Sequence, residues 1–132
     1  ETVNSLPLRH IQSGLAEVIK YGVIMDAEFF DWLLDKSDTL NAVSDAKIWM
    51  HIVQKSARHK VAVVSADEKE ANRRMILNFG HTIGHALEAS LGISHGEAVA
   101  FGIIAESFIS EKQFRFFLSC FPSFLLRFCN CI

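Results

Sequence analysis

Helical periodicity over long, uninterrupted stretches is the feature that most restricts the folds open to this chain. Residues 45–70 read DAKIWMHIVQKSARHKVAVVSADEKE, in which apolar side chains recur at spacings of three and four residues. The segment 13–24 has the same period, and helix is expected over 75–89 and again from about His95. The β-branched VAVV at 61–64 has no bounding turn residues and is weak evidence for a strand. The sequence therefore predicts a mainly α fold.

Residues that can cap or stop a helix mark several of the expected helix ends. Asp26 can accept hydrogen bonds at the start of AEFFDWLL, and Ser44 can do so at the start of the long segment. A break is expected at Leu91 and Gly92. No Gly-, Pro- or Ser-rich linker divides this region, and 132 residues suffice for about one domain.

Charge and cysteine content argue against several classes of protein. A net charge of −2 provides no basic surface for nucleic acid. The three cysteines all lie within 120–132 and form no CxxC pair, which argues against a zinc ribbon or a disulfide framework. The cysteine-free remainder fits a reducing cytoplasm, or a plastid if the source is a plant. The chain opens without an apolar signal region or an initiator Met, so we expect a fragment.

The last twenty residues differ from the rest in composition. Residues 113–132 read QFRFFLSCFPSFLLRFCNCI and hold six of the eleven Phe. The apolar run between Arg115 and Arg127 is interrupted by Pro122 and is shorter than the about twenty residues that a membrane helix needs. A buried helix without its partner and an aberrant terminus are the other interpretations, and we favour the last. We therefore divide the chain into a helical body, 1–112, and an atypical tail, 113–132.

Three histidines lie close together in NFGHTIGHALEASLGISHGEAVAFG. His81 and His85 are four residues apart, so they share one face of a helix, as the two histidines of HExxH do. The glutamate that serves as the general base of that motif is missing between them. From spacing alone, the pair is either a metal pair or one core-edge and one solvated histidine.

Acidic and basic residues nearby extend the candidate site. Glu17 lies in the apolar pattern GLAEVIKYG, where an unpaired carboxylate is costly to bury and would need Lys20 or a metal ion as its cation. Neutral imidazoles and one carboxylate form a plausible catalytic zinc site with an open position for substrate. In the charged region that precedes the histidines, Lys60, Arg74 and Asn78 either form a solvated face or line an anion pocket.

Four linked motifs give the chain a specific resemblance. They are GLAEVIKYG, KVAVVSADEKE, RMILNFGHTIGHALE and HGEAVAFG, and together they extend over about residues 5–110. In order and spacing they resemble 3-dehydroquinate synthase, a sugar phosphate cyclase. The resemblance implies the helical C-terminal, metal- and substrate-binding domain of a two-domain enzyme. The NAD-binding α/β domain that precedes it in the family is expected to be absent here.

The resemblance also implies a role for individual residues. The family's metal ligands, for zinc or cobalt, correspond to Glu17, His81 and His95. His85 corresponds to a histidine implicated in proton handling, supported by Glu70. Substrate contacts to phosphate, carboxylate or hydroxyl groups correspond to Lys20, Lys60, Arg74 and Asn78.

The implied reaction converts 3-deoxy-arabino-heptulosonate 7-phosphate into 3-dehydroquinate and phosphate, a step of the shikimate pathway to chorismate and the aromatic amino acids. The resemblance implies NAD as a regenerated cofactor and a homodimer for the complete enzyme. No nucleic-acid or membrane partner is expected. Because the resemblance covers the helical domain alone, we expect this fragment to be inactive by itself.

Two other functions stay open at this point. Within the superfamily, an inosose synthase or a valiolone synthase would share the zinc ligands, although the valiolone branch tends to lose the histidine that stands here as His85. In a different class, the chain would be a non-catalytic helical module that binds a metal or a partner protein. Phosphate release in the presence of NAD and the sugar phosphate separates an enzyme from such a module.

Overall fold

Helices make up the whole of the ordered secondary structure in a computed structural model that describes residues 3–40, 45–66 and 73–114. Those residues contain no strand, so the predicted mainly α fold is confirmed. The α-helices are α1 (Leu8–Met25), α2 (Ala27–Asp35), α3 (Ser37–Leu40), α4 (Ala46–Ala66), α5 (His81–Leu91) and α6 (His95–Phe114), and short 3-10 helices occupy Val3–Ser5 and Arg73–Asn78.

The apolar face of α1 is the centre of the packing, and α2, α4 and α6 all contact this helix. Ile11, Leu15 and Ile19 are buried at spacings of four residues, as the helical period of the segment predicts. Burial of one such side chain stabilises the fold by roughly 1.5–3 kcal/mol. The side chains that pack with them in the same core include Phe29, Phe30, Leu33, Ile52, Val99 and Ile103.

Asp26 caps α2, as the sequence predicts, and also ties that helix to α4. Its Oδ1 accepts a hydrogen bond from the backbone N–H of Phe29 at 2.9 Å. Its Oδ2 lies 2.8 Å from Nζ of Lys55 and 2.9 Å from Nε2 of His59, both on α4. Although burial alone would raise it, the pKa of Asp26 lies below its usual value because Lys55 and the N–H of Phe29 donate to the carboxylate.

The start of α4 is capped by Asp45. Its Oδ1 accepts from the backbone N–H groups of Lys47, at 2.8 Å, and Ile48, at 3.4 Å. The predicted cap, Ser44, lies outside the described residues. Helix then continues through VAVV to Ala66, which confirms the helical interpretation of that stretch.

The predicted helix over 75–89 is wrong in its first part. Residues Arg73–Asn78 form a 3-10 helix, and α5 begins only at His81. The reason is Gly80, whose φ of 81° lies in the left-handed region that favours glycine and cannot continue an α-helix. The break predicted at Leu91 and Gly92 is confirmed, since Gly92 caps α5 with a φ of 64°.

Close contact between backbones brings α5, α6 and α1 together at the end that carries the histidines. A β-carbon at Gly102 of α6 would overlap the carbonyl oxygen of Gly80, and one at Gly96 would overlap Ser13 of α1. The hydroxyl of Ser13 accepts the N–H of Gly96 at 3.1 Å. Only glycine allows these approaches.

The described helices include none that is both long enough and apolar enough to cross a bilayer. The last of them, α6, runs two residues past the predicted boundary at 112. The rest of the predicted tail, from residue 115, lies outside the described residues.

Candidate metal centre

Side chains from three helices meet at the N-terminal ends of α5 and α6. Oε1 of Glu17, in the middle of α1, lies 3.4 Å from Nε2 of His81 and 3.9 Å from Nε2 of His95. One ligand atom from each of the three residues lies within 4.8 Å of the other two. The structure therefore brings together the three side chains that the resemblance implies as metal ligands, and the binding of a metal stays a prediction.

The ring of His81 is oriented by the turn that precedes α5. Its Nδ1 lies 3.3 Å from the carbonyl oxygen of Phe79. A carbonyl oxygen only accepts, so the tautomer with its proton on Nδ1 satisfies this contact and leaves a lone pair on Nε2, the nitrogen that lies 3.4 Å from Glu17. Burial, and then the charge of Lys20, lower the pKa of His81 below its usual value, which favours the neutral ring that a metal needs.

The two oxygens of the Glu17 carboxylate have different surroundings. Oε2 accepts from the buried ammonium of Lys20 at 2.6 Å. Oε1 is buried and accepts no hydrogen bond within the described part of the chain. This unsatisfied oxygen lies 3.4 Å from Nε2 of His81, and in the tautomer with its proton on Nδ1 a cation between the two acceptors would satisfy both. Glu17 can thus bind Lys20 through Oε2 and a metal ion through Oε1 at the same time.

The distances and the donor types fit a zinc ion. Tetrahedral ligand atoms with bonds of about 2.1 Å lie about 3.4 Å from one another, and the Glu17–His81 separation has this value. The His95 nitrogen is about half an ångström farther from the same oxygen. Two nitrogen donors and one carboxylate are also a known protein ligand set of catalytic zinc.

Lys20 connects the metal centre to the 3-10 helix that precedes it. Its side chain is 3% exposed, and its Nζ donates to the carbonyl oxygen of Leu77 at 2.6 Å as well as to Glu17. The predicted substrate-binding residues Arg74 and Asn78 lie on that 3-10 helix and line a surface pocket together with Met75 and Leu77. Lys20 thus holds this pocket close to the metal centre.

The predicted Lys60 is exposed on α4 and does not line this pocket. Its proposed contact with substrate stays a prediction, as do the contacts of Arg74 and Asn78. Among the described residues, the anion pocket that the sequence suggests corresponds to the surface pocket on the 3-10 helix.

His85 lies beside the three candidate ligands. Its ring centroid is 5.3 Å from that of His81 and 6.0 Å from that of His95, and its side chain is exposed. Its predicted carboxylate partner, Glu70, lies outside the described residues. The role of His85 in proton handling stays a prediction.

Two carboxylates that the sequence analysis did not select contact the site. Oε2 of Glu88 lies 3.1 Å from Nδ1 of His95. Glu106 of α6 accepts from the N–H groups of Gly80, at 2.7 Å, and Ile83, at 3.2 Å, so it caps α5 just where His81 begins the helix. A sequence signal existed for Glu88, which is seven residues after His81 and therefore on the same helical face. The contact of Glu106 depends on tertiary packing and has no local signal.

A family model described as 3-dehydroquinate synthase C-terminal matches residues 14–118. This stretch contains every candidate ligand and every candidate substrate-binding residue, and it ends six residues beyond the predicted boundary at 112. The chain therefore belongs to the 3-dehydroquinate synthase family and carries the C-terminal domain of that family.

Proposed function

We propose that this chain is the metal- and substrate-binding part of a 3-dehydroquinate synthase, a carbon–oxygen lyase of the shikimate pathway. The proposed reaction converts 3-deoxy-arabino-heptulosonate 7-phosphate into 3-dehydroquinate and phosphate. The convergence of Glu17, His81 and His95 supports it, because these donor types suit zinc, or alternatively cobalt, and the chain belongs to this family.

The chain's own contribution at this centre is to hold three donors in one arrangement. A bound divalent ion would polarise substrate hydroxyl groups and make one of them easier to deprotonate. Lys20 neutralises one oxygen of Glu17 and leaves the other directed at the histidines. The carbonyl of Phe79 favours the tautomer of His81 with its proton on Nδ1, which would leave Nε2 free to bind the ion.

The surface pocket on the 3-10 helix would bind the anionic groups of the substrate. The guanidinium of Arg74 can donate two parallel hydrogen bonds to a phosphate or carboxylate, and the amide of Asn78 can bond to a hydroxyl group. The exposed ring of His85, between this centre and solvent, is suited to receive or return a proton during the reaction.

NAD would take a hydride from the substrate and return it later in the same turnover. The sequence contains no Gly-rich dinucleotide loop of the GxGxxG type. We therefore propose that the residues that bind NAD lie outside these 132, that the complete enzyme is a homodimer, and that this chain alone does not turn over. Calorimetric titration with NAD is expected to give no saturable binding, and saturable binding would contradict this part of the proposal.

Calorimetric titration of the sugar phosphate into the chain, with and without zinc, tests the proposal. We expect zinc-dependent binding that Arg74→Ala weakens about tenfold or more, because one charged hydrogen bond contributes roughly 1.5–3 kcal/mol. Arg58→Ala, which removes an exposed arginine from α4, is the matched control and should bind like the wild type.

The other outcomes separate the alternatives. Equal affinity for a hexose phosphate without a carboxylate would favour a different sugar phosphate cyclase. Zinc binding without any sugar phosphate binding would favour a non-catalytic metal-binding module. Absence of both zinc and sugar phosphate binding, in a chain that is folded by circular dichroism, would contradict the proposed function.

A further inference from the structure

We propose that Glu88 is a positioning residue for His95. It selects the tautomer with the ring proton on Nδ1 and so directs the lone pair of Nε2 at the metal centre. This inference rests on the proposed metal centre. Glu88 lies near the end of α5, and His95 is the first residue of α6. The carboxylate Oε2 and the imidazole Nδ1 are 3.1 Å apart across the break between the two helices.

The chemistry of the contact determines where the proton of His95 lies. A neutral imidazole carries one proton, and an ionised carboxylate only accepts hydrogen bonds. In the tautomer with its proton on Nδ1, His95 donates to Glu88 over the shorter of its two carboxylate contacts and keeps a lone pair on Nε2, the nitrogen that is 3.9 Å from Glu17. A free neutral histidine prefers the opposite form, with its proton on Nε2. Glu88 thus does for His95 what the carbonyl of Phe79 does for His81.

Other hydrogen bonds hold the backbone on either side of His95, whereas Glu88 makes the shortest polar contact with its ring. Ser13 accepts the N–H of Gly96 at 3.1 Å, and Glu97 accepts that of Ser94 at 2.8 Å. The ring itself is 45% exposed, and in the described part of the chain its shortest polar contact is the one with Glu88. The ring also lies beside the rings of His81 and His85, at centroid distances of 5.3 and 6.0 Å, but neither of these contacts determines which ring nitrogen carries the proton.

Helix stability does not explain a glutamate at this position. The last turn of a helix presents unpaired carbonyl oxygens, which disfavour a negative charge. Glu88 lies in the last turns of α5, and its own backbone carbonyl accepts from the cap residue Gly92 at 3.0 Å. The carboxylate is therefore placed against the helix dipole, and its closest polar contact among the described residues is the one with His95.

A competing arrangement uses the same residues differently. One ligand atom from each of His85, Glu88 and His95 also lies within 4.8 Å of the other two. Glu88 could therefore itself bind an ion, together with His85 and His95. In that arrangement, His95 would offer Nδ1 to the ion and carry its proton on Nε2. The two arrangements exclude each other, because one Nδ1 cannot both donate a proton to Glu88 and bind an ion. The short contact between Nδ1 and Glu88 favours the positioning role.

The direct test is the proton position on His95, observed by long-range ¹H–¹⁵N NMR on the metal-free 132-residue chain. The spectra are recorded about 1.5 units above the ordinary histidine pKa of about 6.5, so that the rings are neutral. The His95 signals are assigned by their loss in His95→Asn. We expect the proton on Nδ1 in the wild type and a shift to Nε2 in Glu88→Leu.

Zinc affinity, measured by competition with a chelating dye, is the second readout. We expect Glu88→Leu to weaken binding about 10–100-fold, the usual effect of losing a residue that orients a metal ligand. Glu88→Gln should lose less, because its amide oxygen still accepts the Nδ1 proton. Glu111→Gln removes an equivalent exposed charge from α6 and should match the wild type in both readouts.

Three results would overturn the positioning role. They are a wild-type His95 with its proton on Nε2, a proton position that Glu88→Leu leaves unchanged, and a loss of zinc affinity in His85→Ala as large as that in Glu88→Leu. The predicted change of proton position in a chain that binds no zinc would uphold the role of Glu88 and instead refute the proposed metal centre. Failure of the positioning role and failure of the proposed metal centre therefore give different experimental results.

Discussion

Substitution of Gly102 by alanine is a stringent test of the close packing between α5 and α6. The added β-carbon would overlap the carbonyl oxygen of Gly80 and would lie 2.8 Å from the carbonyl carbon of Gly80 and 2.9 Å from the backbone nitrogen of Gly84. All three neighbours are backbone atoms, so no side-chain rotation can relieve the contact. The two helices would have to separate by more than about 1 Å to relieve the overlap with the carbonyl oxygen of Gly80.

The expected loss of stability follows from two opposing effects. Overpacking of this kind costs about 3 kcal/mol, whereas alanine gains about 1 kcal/mol over glycine from helix propensity. The free energy of unfolding should therefore fall by about 2 kcal/mol, a large part of the total of a small domain. Because His81 begins α5, the displacement should also weaken zinc binding.

Urea denaturation followed by circular dichroism measures the change in the free energy of unfolding. Gly14→Ala is the matched control, because a β-carbon at Gly14 of α1 meets nothing within 4 Å. We expect this control to gain about 0.5–1 kcal/mol from helix propensity alone. If Gly102→Ala were as stable as the wild type, the close approach of the two helices would be wrong.

Three further predictions concern the metal centre and the contact between α2 and α4. Glu17→Gln should abolish stoichiometric zinc binding measured by metal analysis, because a neutral amide is a poor zinc ligand; full retention of zinc would remove Glu17 from the centre. His85→Ala should leave zinc content near that of the wild type while impairing phosphate release in a complete enzyme, and joint loss of zinc and activity would make it a ligand instead. Because the folded-state pKa of Asp26 lies below the unfolded value of 3.8, its contribution to stability is present above pH 3.8 and is lost as the pH falls through the folded value. Asp26→Asn should therefore be less stable than the wild type at pH 7, and urea midpoints for the two should converge in acid; a constant gap would show that ionisation of Asp26 is not involved.

The sequence could predict those parts of the fold, such as helix ends and buried helix faces, that depend on residues close together in the chain. The helical period identified the buried face of α1, and Asp26 and Gly92 marked a helix start and a helix end correctly. Each of these depends on side chains within about four residues, which is the range of a helical turn. The predicted cap of α4, Ser44, lies outside the described residues, and the cap that the structure describes is the adjacent Asp45.

Features set by distant contacts were not predictable in the same way. The helix expected from Met75 begins late because Gly80 turns the chain, and that turn is held by Glu106, a residue 26 positions later. The separate partners of the two Glu17 oxygens likewise depend on helices that are far apart in sequence. The candidate ligands were recognised from four linked motifs, since the spacing of two histidines alone is weak evidence for a metal pair.

The contact between α1 and α6 also has a consequence for the synthesis of the chain on the ribosome. Ser13 and its partner Gly96 are 83 positions apart. At about 5–20 residues per second, the ribosome needs roughly 4–17 s to make the intervening segment. During that interval, the face of α1 that carries Ser13 and Glu17 has no α6 to pack against. The candidate metal centre, which combines side chains of α1, α5 and α6, can therefore assemble only after most of the chain has been made.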